Sequence, residues 1–223
     1  MHQRKGKKIL IYLFLLLIVG SVNNININKI NFNIIENYNI TGLNYLDNET
    51  LLKDIKNLNL ENIFFLNKTK IIKIIESNSL VEEYKVFKKY PSTLNIKIQK
   101  TTFLAKINQD DKIFIIGSNG KLSKNDSSIK NLPYIFGNPE IREFLNFKKI
   151  IDDSKIPYER IKNLYFFKSK RWDLELKNNI LIKLSRNNIK ETLDNVFEFM
   201  KDVNSGSTKV IDARIKNQII LNG

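Results

Sequence analysis

Two pairs of neighbouring aspartates come closer than other residues of this sequence to a catalytic arrangement. Asp110 with Asp111, and Asp152 with Asp153, are adjacent carboxylates, and carboxylates can act as general acids and bases. Neighbours in sequence do not converge on one substrate by themselves, and both pairs stand beside a predicted turn or helix end. We therefore interpret them as solvated surface residues.

Other side chains that catalysis commonly requires are scarce in this sequence. The only histidine is His2, and there is no cysteine. The sequence contains no zinc-ligand cluster, no glycine-rich phosphate loop and no nucleophile elbow. It therefore predicts no catalytic, cofactor-binding or metal-binding residues, and a protein that is not an enzyme.

The net charge of +14 raises the question of a nucleic-acid partner. The lysines are spread along the chain rather than gathered in one stripe, and no nucleic-acid-binding motif accompanies them. Lysine, asparagine and isoleucine are all abundant, as A/T-rich codons would produce. We expect a solvated basic surface, weakly attracted to anionic lipid, and no nucleic-acid partner.

An apolar stretch at residues 9–22 follows a basic head at residues 1–8. Positive charge beside the first apolar segment favours a cytoplasmic head and an exported remainder. A membrane span needs about 20 apolar residues, so residues 9–27 would form the anchor. A cleaved signal peptide is the alternative, although Val19, Gly20 and Ser21 make a poor cleavage site.

The next segment, residues 28–101, predicts a small domain. Its patterns change between alternation typical of strands and the spacing typical of helices. Phe64 and Phe65 would form a packed link between two helices rather than a binding patch. The predicted order is a strand at 30–40, a helix capped by Asp47, a helix capped by Asn67, and strands near 81–90 and 94–98. Such a unit can close a three-stranded sheet covered on one face by two helices.

The remaining segment, residues 102–223, is rich in predicted strands. Trp172 alternates with Leu174 and Leu176 and is expected in the core, with a role as an interface anchor as the alternative. Residues 132–137 read as an apolar loop bounded by proline and glycine. The predicted strands are 103–107, 112–116, 161–167, 172–176, 180–184, 210–215 and 218–221, with helices at 144–152 and 189–203.

The last predicted strand suggests a way of binding another protein. A terminal strand can leave an open row of backbone donors and acceptors, which accepts an added strand. Asp212 and Arg214 stand two residues apart on one strand face. They either pair within the sheet or contact a partner, and the sequence does not separate the two.

These features together resemble the FtsQ/DivIB family of bitopic cell-division proteins. The resemblance covers essentially the whole chain. In the first domain, which resembles a POTRA domain, it rests on Tyr90-Pro91-Ser92-Thr93-Leu94. In the second it rests on Gly120, on Leu132-Pro133 with Gly137, on Arg171-Trp172-Asp173-Leu174-Glu175-Leu176, which looks most like alphaproteobacterial versions, and on Ile211-Asp212-Ala213-Arg214.

Some positions depart from the family's pattern. The chain has Gln99, Lys100 and Thr102 where Glu-Arg and a proline are common, and Gly117 where the family often has aspartate. Ala213 replaces a common leucine. These changes indicate divergence within the family rather than another function.

The resemblance implies a fold, a location and partners. The fold would be α+β: an N-terminal membrane helix, a POTRA domain of order strand-helix-helix-strand-strand, and a β-rich C-terminal domain with flanking helices. The protein would span the inner membrane once at the division septum, with both domains in the periplasm, and would take part in septum formation.

The expected partners are FtsB and FtsL by strand addition at the C-terminal edge, other division proteins through the POTRA domain, and the inner membrane through the N-terminal helix. An aromatic favoured by the family is replaced at Ile215. A POTRA-bearing export or outer-membrane assembly factor is the alternative, which a long C-terminal barrel would favour. The candidate partner-binding residues are Asp212, Arg214, Ile215, Lys216, Asn217, Gln218, Ile219, Ile220 and Leu221.

Overall fold

The computed structural model describes residues 3–22, 35–60, 63–126, 129–202, 209–216 and 218–222. The chain divides into two compact units. The first comprises Met1–Ser77 and Tyr84–Gln99, and the second comprises Asn78–Glu83 and Lys100–Gly223.

The N-terminal helix, α1, spans Gln3–Val22. Its large apolar side chains from Ile9 to Val19 are exposed to solvent. No helix among the described residues combines the length and the apolarity that crossing a bilayer requires. The rest of the predicted anchor, residues 23–27, lies outside the described residues.

The first unit contains the predicted mixture of strands and helices. Its three-stranded sheet has the order β1-β3-β2, in which β1 runs parallel to β3. Leucine and isoleucine side chains of the two helices and of β3 form its core, including Leu51, Ile55, Ile71, Ile75, Leu94 and Ile96. The elements are β1 (Asn37–Thr41), α2 (Tyr45–Lys56), α3 (Lys68–Ser77), β2 (Val81–Lys89) and β3 (Thr93–Lys100).

The predicted start of α2, the first helix of this unit's core, is wrong. Asn44 rather than Asp47 is the N-cap, and its side-chain oxygen accepts a hydrogen bond from the Asp47 backbone N–H at 3.0 Å. Asp47 lies in the first turn, where a carboxylate is also favoured by the helix dipole. The Asn67 cap is confirmed, because its oxygen accepts from the Thr69 N–H at 2.9 Å. Of the strand predicted at 30–40, residues 37–40 are confirmed and 30–34 lie outside the described residues.

The two phenylalanines between the helices are not a packed link, which corrects the sequence prediction. Phe64 is 47% exposed and Phe65 is 87% exposed. Ile63 fills the buried position of this connection instead and is completely covered. Because the core position is already taken, both rings remain at the surface.

The second unit is built on one mixed sheet with nine strands among the described residues, in the order β12-β11-β10-β9-β8-β7-β4-β5-β6. A 3₁₀ turn, Tyr158–Arg160, precedes β8. The elements are β4 (Phe103–Gln109), β5 (Lys112–Gly117), β6 (Leu122–Lys124), β7 (Tyr134–Phe136), α4 (Ile141–Asp152), β8 (Ile161–Phe166), β9 (Trp172–Leu176), β10 (Leu181–Leu184), α5 (Ile189–Asp202), β11 (Val210–Ala213) and β12 (Ile220–Asn222).

Residues 132–137 are not only a loop, which corrects a second prediction. Their centre is β7, which lies between β4 and β8 and runs parallel to both. A strand of three residues is too short to show alternation in sequence. It ends at Gly137, whose φ is +96° and where a Cβ would lie 2.2 Å from the Phe166 carbonyl oxygen. Only glycine fits there.

An aromatic cluster joins α4 to the sheet. The Trp172 ring lies parallel to that of Phe147, with centroids 4.5 Å apart, and it also contacts Phe166 at 4.8 Å. Trp172 is buried, as predicted. The same core contains α5 side chains such as Leu193, so both helices pack on one face of the sheet.

Replacing this tryptophan tests the importance of the cluster. Trp172→Ala is expected to lower the free energy of unfolding of the second unit by about 3–5 kcal/mol, since it leaves a large cavity. Thermal and chemical denaturation followed by circular dichroism measure this loss. Ile113→Ala, at a partly exposed position of the same sheet, is the control and should cost clearly less. Equal losses for the two variants would contradict a central role of the ring.

Candidate partner-binding edge

The predicted site residues gather at one edge of the large sheet. β12 pairs antiparallel with β11, so that Ile220 faces Asp212 and Leu221 faces Ile211. β12 is the last strand of the sheet order. In the part of the chain that the structure describes, its outer side pairs with no further strand.

Several side chains of this edge are apolar and exposed. Ile220 is 52% exposed and Leu221 is 43% exposed, on opposite faces of β12 because successive side chains alternate. Ile215 is also exposed, whereas Ile219 is partly buried and packs against the core. Ile219 therefore holds the strand in place, and its neighbours remain available at the surface.

Asp212 and Arg214 bind each other directly. The Arg214 Nε lies 2.8 Å from Asp212 Oδ1, and Nη2 lies 2.5 Å from Oδ2. The Arg214 backbone N–H also donates to Oδ1 at 3.2 Å. The guanidinium hydrogen bonds hold the pKa of Asp212 below its usual value, while partial burial acts in the opposite direction. Of the two roles that the sequence left open, the geometry shows the internal pair.

A buried carboxylate extends this charged row across the sheet. Asp173 faces Lys183, and Lys183 faces Asp212, on β9, β10 and β11. Burial raises the pKa of Asp173, although the Leu184 N–H at 3.2 Å and the nearby Arg171 counteract it. Opposite charges thus alternate between neighbouring strands, which stabilises their pairing.

The structure also shows what the sequence did not reveal. Lys183 and Asp173 join Asp212 only through strand pairing, so no local pattern could identify them.

Of the predicted residues, Lys216 and Gln218 are exposed, and Asn217 lies outside the described residues. A groove beside the edge is lined by residues of α5 and of the segment around β11: Thr192, Asn195, Ala213, Ile215, Gln218 and Ile219.

The adjacent aspartates do not form a common site. Asp110 and Asp111 occupy the turn between β4 and β5, Asp152 is the last residue of α4, and Asp153 is its C-cap. Within the described ranges, no group of three or more histidine, cysteine or carboxylate side chains is placed to hold a metal ion.

Two family profiles match consecutive parts of the chain. The POTRA domain, FtsQ-type, matches residues 34–100, and the profile for the C-terminal region of cell division protein FtsQ/DivIB matches residues 105–214. The chain belongs to the FtsQ/DivIB family. The resemblance inferred from the sequence is therefore confirmed, and a POTRA domain precedes a β-rich FtsQ/DivIB domain. The residues after Arg214, which include β12, lie beyond the second match.

Curated relatives agree with this assignment. The chain is 28% identical to cell division protein FtsQ of Rickettsia bellii over 189 residues, which is 82% of this chain and 70% of the relative. It is 31% identical to cell division protein DivIB of Clostridium botulinum (strain Loch Maree / Type A3) over 135 residues, 60% of this chain and 51% of the relative.

A solved structure is also similar to part of the chain. It is the major extracytoplasmic domain of DivIB from Geobacillus stearothermophilus, in its trans isomer. The match covers 47% of this chain and 98% of the other, with 11% identity and a TM-score of 0.32.

The two aspartates of the charged row should titrate in a defined order. On acidification, Asp173 is expected to take up a proton before Asp212, because burial raises the pKa of Asp173 while Arg214 lowers that of Asp212. Carbon-13 NMR titration of aspartate-labelled protein measures both. Arg214→Gln should shift the Asp212 midpoint to higher pH.

Arg171→Gln is the matched control, since Arg171 is the ion-pair partner of Asp173. It should raise the pKa of Asp173 and leave that of Asp212 nearly unchanged. If Arg214→Gln leaves the titration midpoint of Asp212 unchanged, the ion pair between Asp212 and Arg214 does not form in solution.

Proposed function

We propose that this protein is a non-catalytic bitopic scaffold of the inner membrane that recruits FtsB and FtsL, and other division proteins, to the septum. The observation that carries the proposal is the exposed edge of β12. Membership of the chain in the FtsQ/DivIB family supports a role in cell division.

Strand addition fits the physical character of this edge. An unpaired strand offers backbone N–H and C=O groups at regular spacing, and a partner strand can satisfy them without any special side chain. Backbone pairing tolerates substitution, which suits a chain that has Ile215 where the family favours an aromatic residue. Ile220 and Leu221 would add apolar contacts above and below the new strand.

Proline substitution can separate the two sides of β12. Backbone N–H groups of successive strand residues point to opposite sides, so of Ile220→Pro and Leu221→Pro only one removes a donor facing the open edge. The variant that removes the donor facing the open edge should fold normally and lose binding. The other should lose a bond to β11 and melt at a lower temperature. Pull-down of the FtsB–FtsL complex, with circular dichroism for folding, measures both effects.

The paired design makes the result decisive. Asn125→Pro, at an exposed position after β6 and away from this edge, controls for a general effect of proline. If both edge variants remain folded and retain wild-type binding, strand addition at β12 is wrong. The interface would then have to lie elsewhere, with the POTRA domain as the next surface to examine.

Membrane anchoring is proposed for residues 9–27, with residues 1–8 in the cytoplasm and the two domains, 28–101 and 102–223, in the periplasm. Two observations support it. The apolar side chains of α1 are exposed from Ile9 to Val19, where a bilayer could cover them. Arg4, Lys5, Lys7 and Lys8 precede them and would remain on the cytoplasmic side.

The anchor should be retained in the mature protein. Mass spectrometry of the native membrane fraction, after a carbonate wash, is expected to find the peptides that contain residues 9–22. The physical reason is that Val19-Gly20-Ser21 matches poorly the Ala-x-Ala pattern at which signal peptidase cuts. A mature chain beginning near Asn23 would show that the segment is a cleaved signal peptide instead.

The POTRA domain is proposed to contact other division proteins. The alternative function, protein export or outer-membrane assembly, is less well supported, because the second family match and the similar curated proteins all concern cell division.

A further inference from the structure

Three exposed aromatic rings lie together at one end of the first unit. Phe65 protrudes almost fully from the connection between α2 and α3. Phe64 stacks on Tyr90, with ring centroids 4.8 Å apart and planes inclined by 27°, and Tyr90 is 56% exposed. We call Phe64, Phe65 and Tyr90 the aromatic patch.

The chain enters the first unit at the same end. The backbone N–H groups of Glu36 and Asn37 both donate to the Ser92 carbonyl oxygen, at 3.0 and 3.2 Å. Ser92 lies in the turn that contains Tyr90, so the polypeptide arriving from α1 joins the domain beside the aromatic patch. Because β1 runs parallel to β3, it leads away from this end.

The opposite end of the unit is marked by Gly42, where a Cβ would lie 1.7 Å from the Ile98 carbonyl oxygen. Ile98 is five residues after Thr93 along β3, which corresponds to about 16 Å at 3.3 Å per residue. α2 begins at this opposite end with Tyr45, which is exposed like the patch. Tyr45 thus provides an aromatic position at the far end of the same domain.

Lysines surround the aromatic patch. Lys88 Nζ donates to the Phe64 carbonyl oxygen at 3.0 Å, and Lys68 Nζ donates to the Val86 carbonyl oxygen at 3.3 Å. Lys89 is exposed next to Tyr90. One carboxylate among the described residues beside the turn is that of Glu36, which accepts from the Ser92 hydroxyl at 3.2 Å. These described neighbours leave the patch with an excess of positive charge.

We infer that the aromatic patch contacts an anionic lipid surface beside the membrane anchor. Phenylalanine and tyrosine rings enter the headgroup region of a bilayer, while lysines bind anionic headgroups. The inference rests on the anchoring proposed above. Residue 35 follows residue 22 by 13 positions, which span at most roughly 45 Å even in a fully extended chain. Because residue 35 enters the domain beside the aromatic patch, the same limit applies approximately to the distance between the patch and the end of α1.

The lipid surface is favoured over a protein partner by this tether. A membrane that holds residues 9–27 keeps the entry end of the domain within reach of the short connecting chain, whereas a protein partner must diffuse there. The excess of lysine beside the aromatic patch suits anionic headgroups. The contact would orient the domain with its entry end towards the bilayer and leave Tyr45 farther from it.

The test uses the full-length protein in vesicles and a tryptophan as reporter of depth. Phe65→Trp keeps an aromatic ring, and Tyr45→Trp is the matched control at the other end. The unsubstituted chain has a single tryptophan, the buried Trp172, which gives the background. Emission is recorded in vesicles of phosphatidylglycerol with brominated phosphatidylcholine, and in vesicles without the anionic lipid.

The expected result is a shift of Phe65→Trp emission to shorter wavelength and its quenching by the brominated lipid in anionic vesicles, with a clear loss of quenching in neutral ones. Tyr45→Trp should remain unquenched. Absence of quenching at position 65 in chains that resist carbonate extraction would overturn the lipid contact, and would favour a protein partner.

Two other results would also count against the inference. Equal quenching at positions 45 and 65 would show that the domain has no preferred end, and equal quenching in neutral vesicles would remove the role of the lysines. Chains that carbonate extracts from the vesicles would refute the anchoring itself. The extraction step therefore separates failure of the anchor from failure of the patch.

Discussion

Packing of α4 and α5 against a single face of the large sheet is the constraint from which the rest of the second unit follows. Trp172, stacked on Phe147, commits one face of β9 to the core. Alternation then places Asp173 on the other face, and strand pairing extends this placement to Lys183 and Asp212. The charged row is thus a consequence of where the helices lie. A shift of register by one residue would bury these charges beneath the helices.

The open edge arises from the same arrangement. β11 runs parallel to β10, and parallel strands need a crossover, which α5 provides on the covered face. β12 then returns antiparallel beside β11, with Ile219 packed against the core. The strand is therefore fixed along its inner side, while its outer backbone groups face solvent in the described structure. An edge held in this way is already ordered, so binding of a partner strand would not include the entropy cost of ordering β12.

Sequence patterns predicted most elements of both domains, because long alternating or helical stretches carry their own period. The failures are equally physical. β7 has only three residues, and its place between β4 and β8 depends on contacts distant in sequence. Asn44 and Asp47 are both good capping residues, and only the backbone decides between them. Asp173 and Asp212 were each visible in sequence, but the register that aligns them through Lys183 was not. Burial of Phe64 and Phe65 was expected from their type, yet Ile63 occupies the available core position.

Among the exposed apolar side chains of the described residues, two groups bear on function: the aromatic patch, and Ile220 with Leu221 on β12. Phe65 adds almost nothing to the core of the first unit, and the half-exposed Phe64 and Tyr90 add little. Ile220 and Leu221 likewise add little to the core of the second unit. Apolar surface of this kind promotes aggregation unless something covers it. The two places differ in what they offer besides apolar contact. β12 presents a row of directional backbone groups, to which the extended backbone of another chain would be complementary. The aromatic patch lies on a connection and a turn, where no ladder can form, and lysines flank it. This arrangement suits a fluid and charged surface better than another strand.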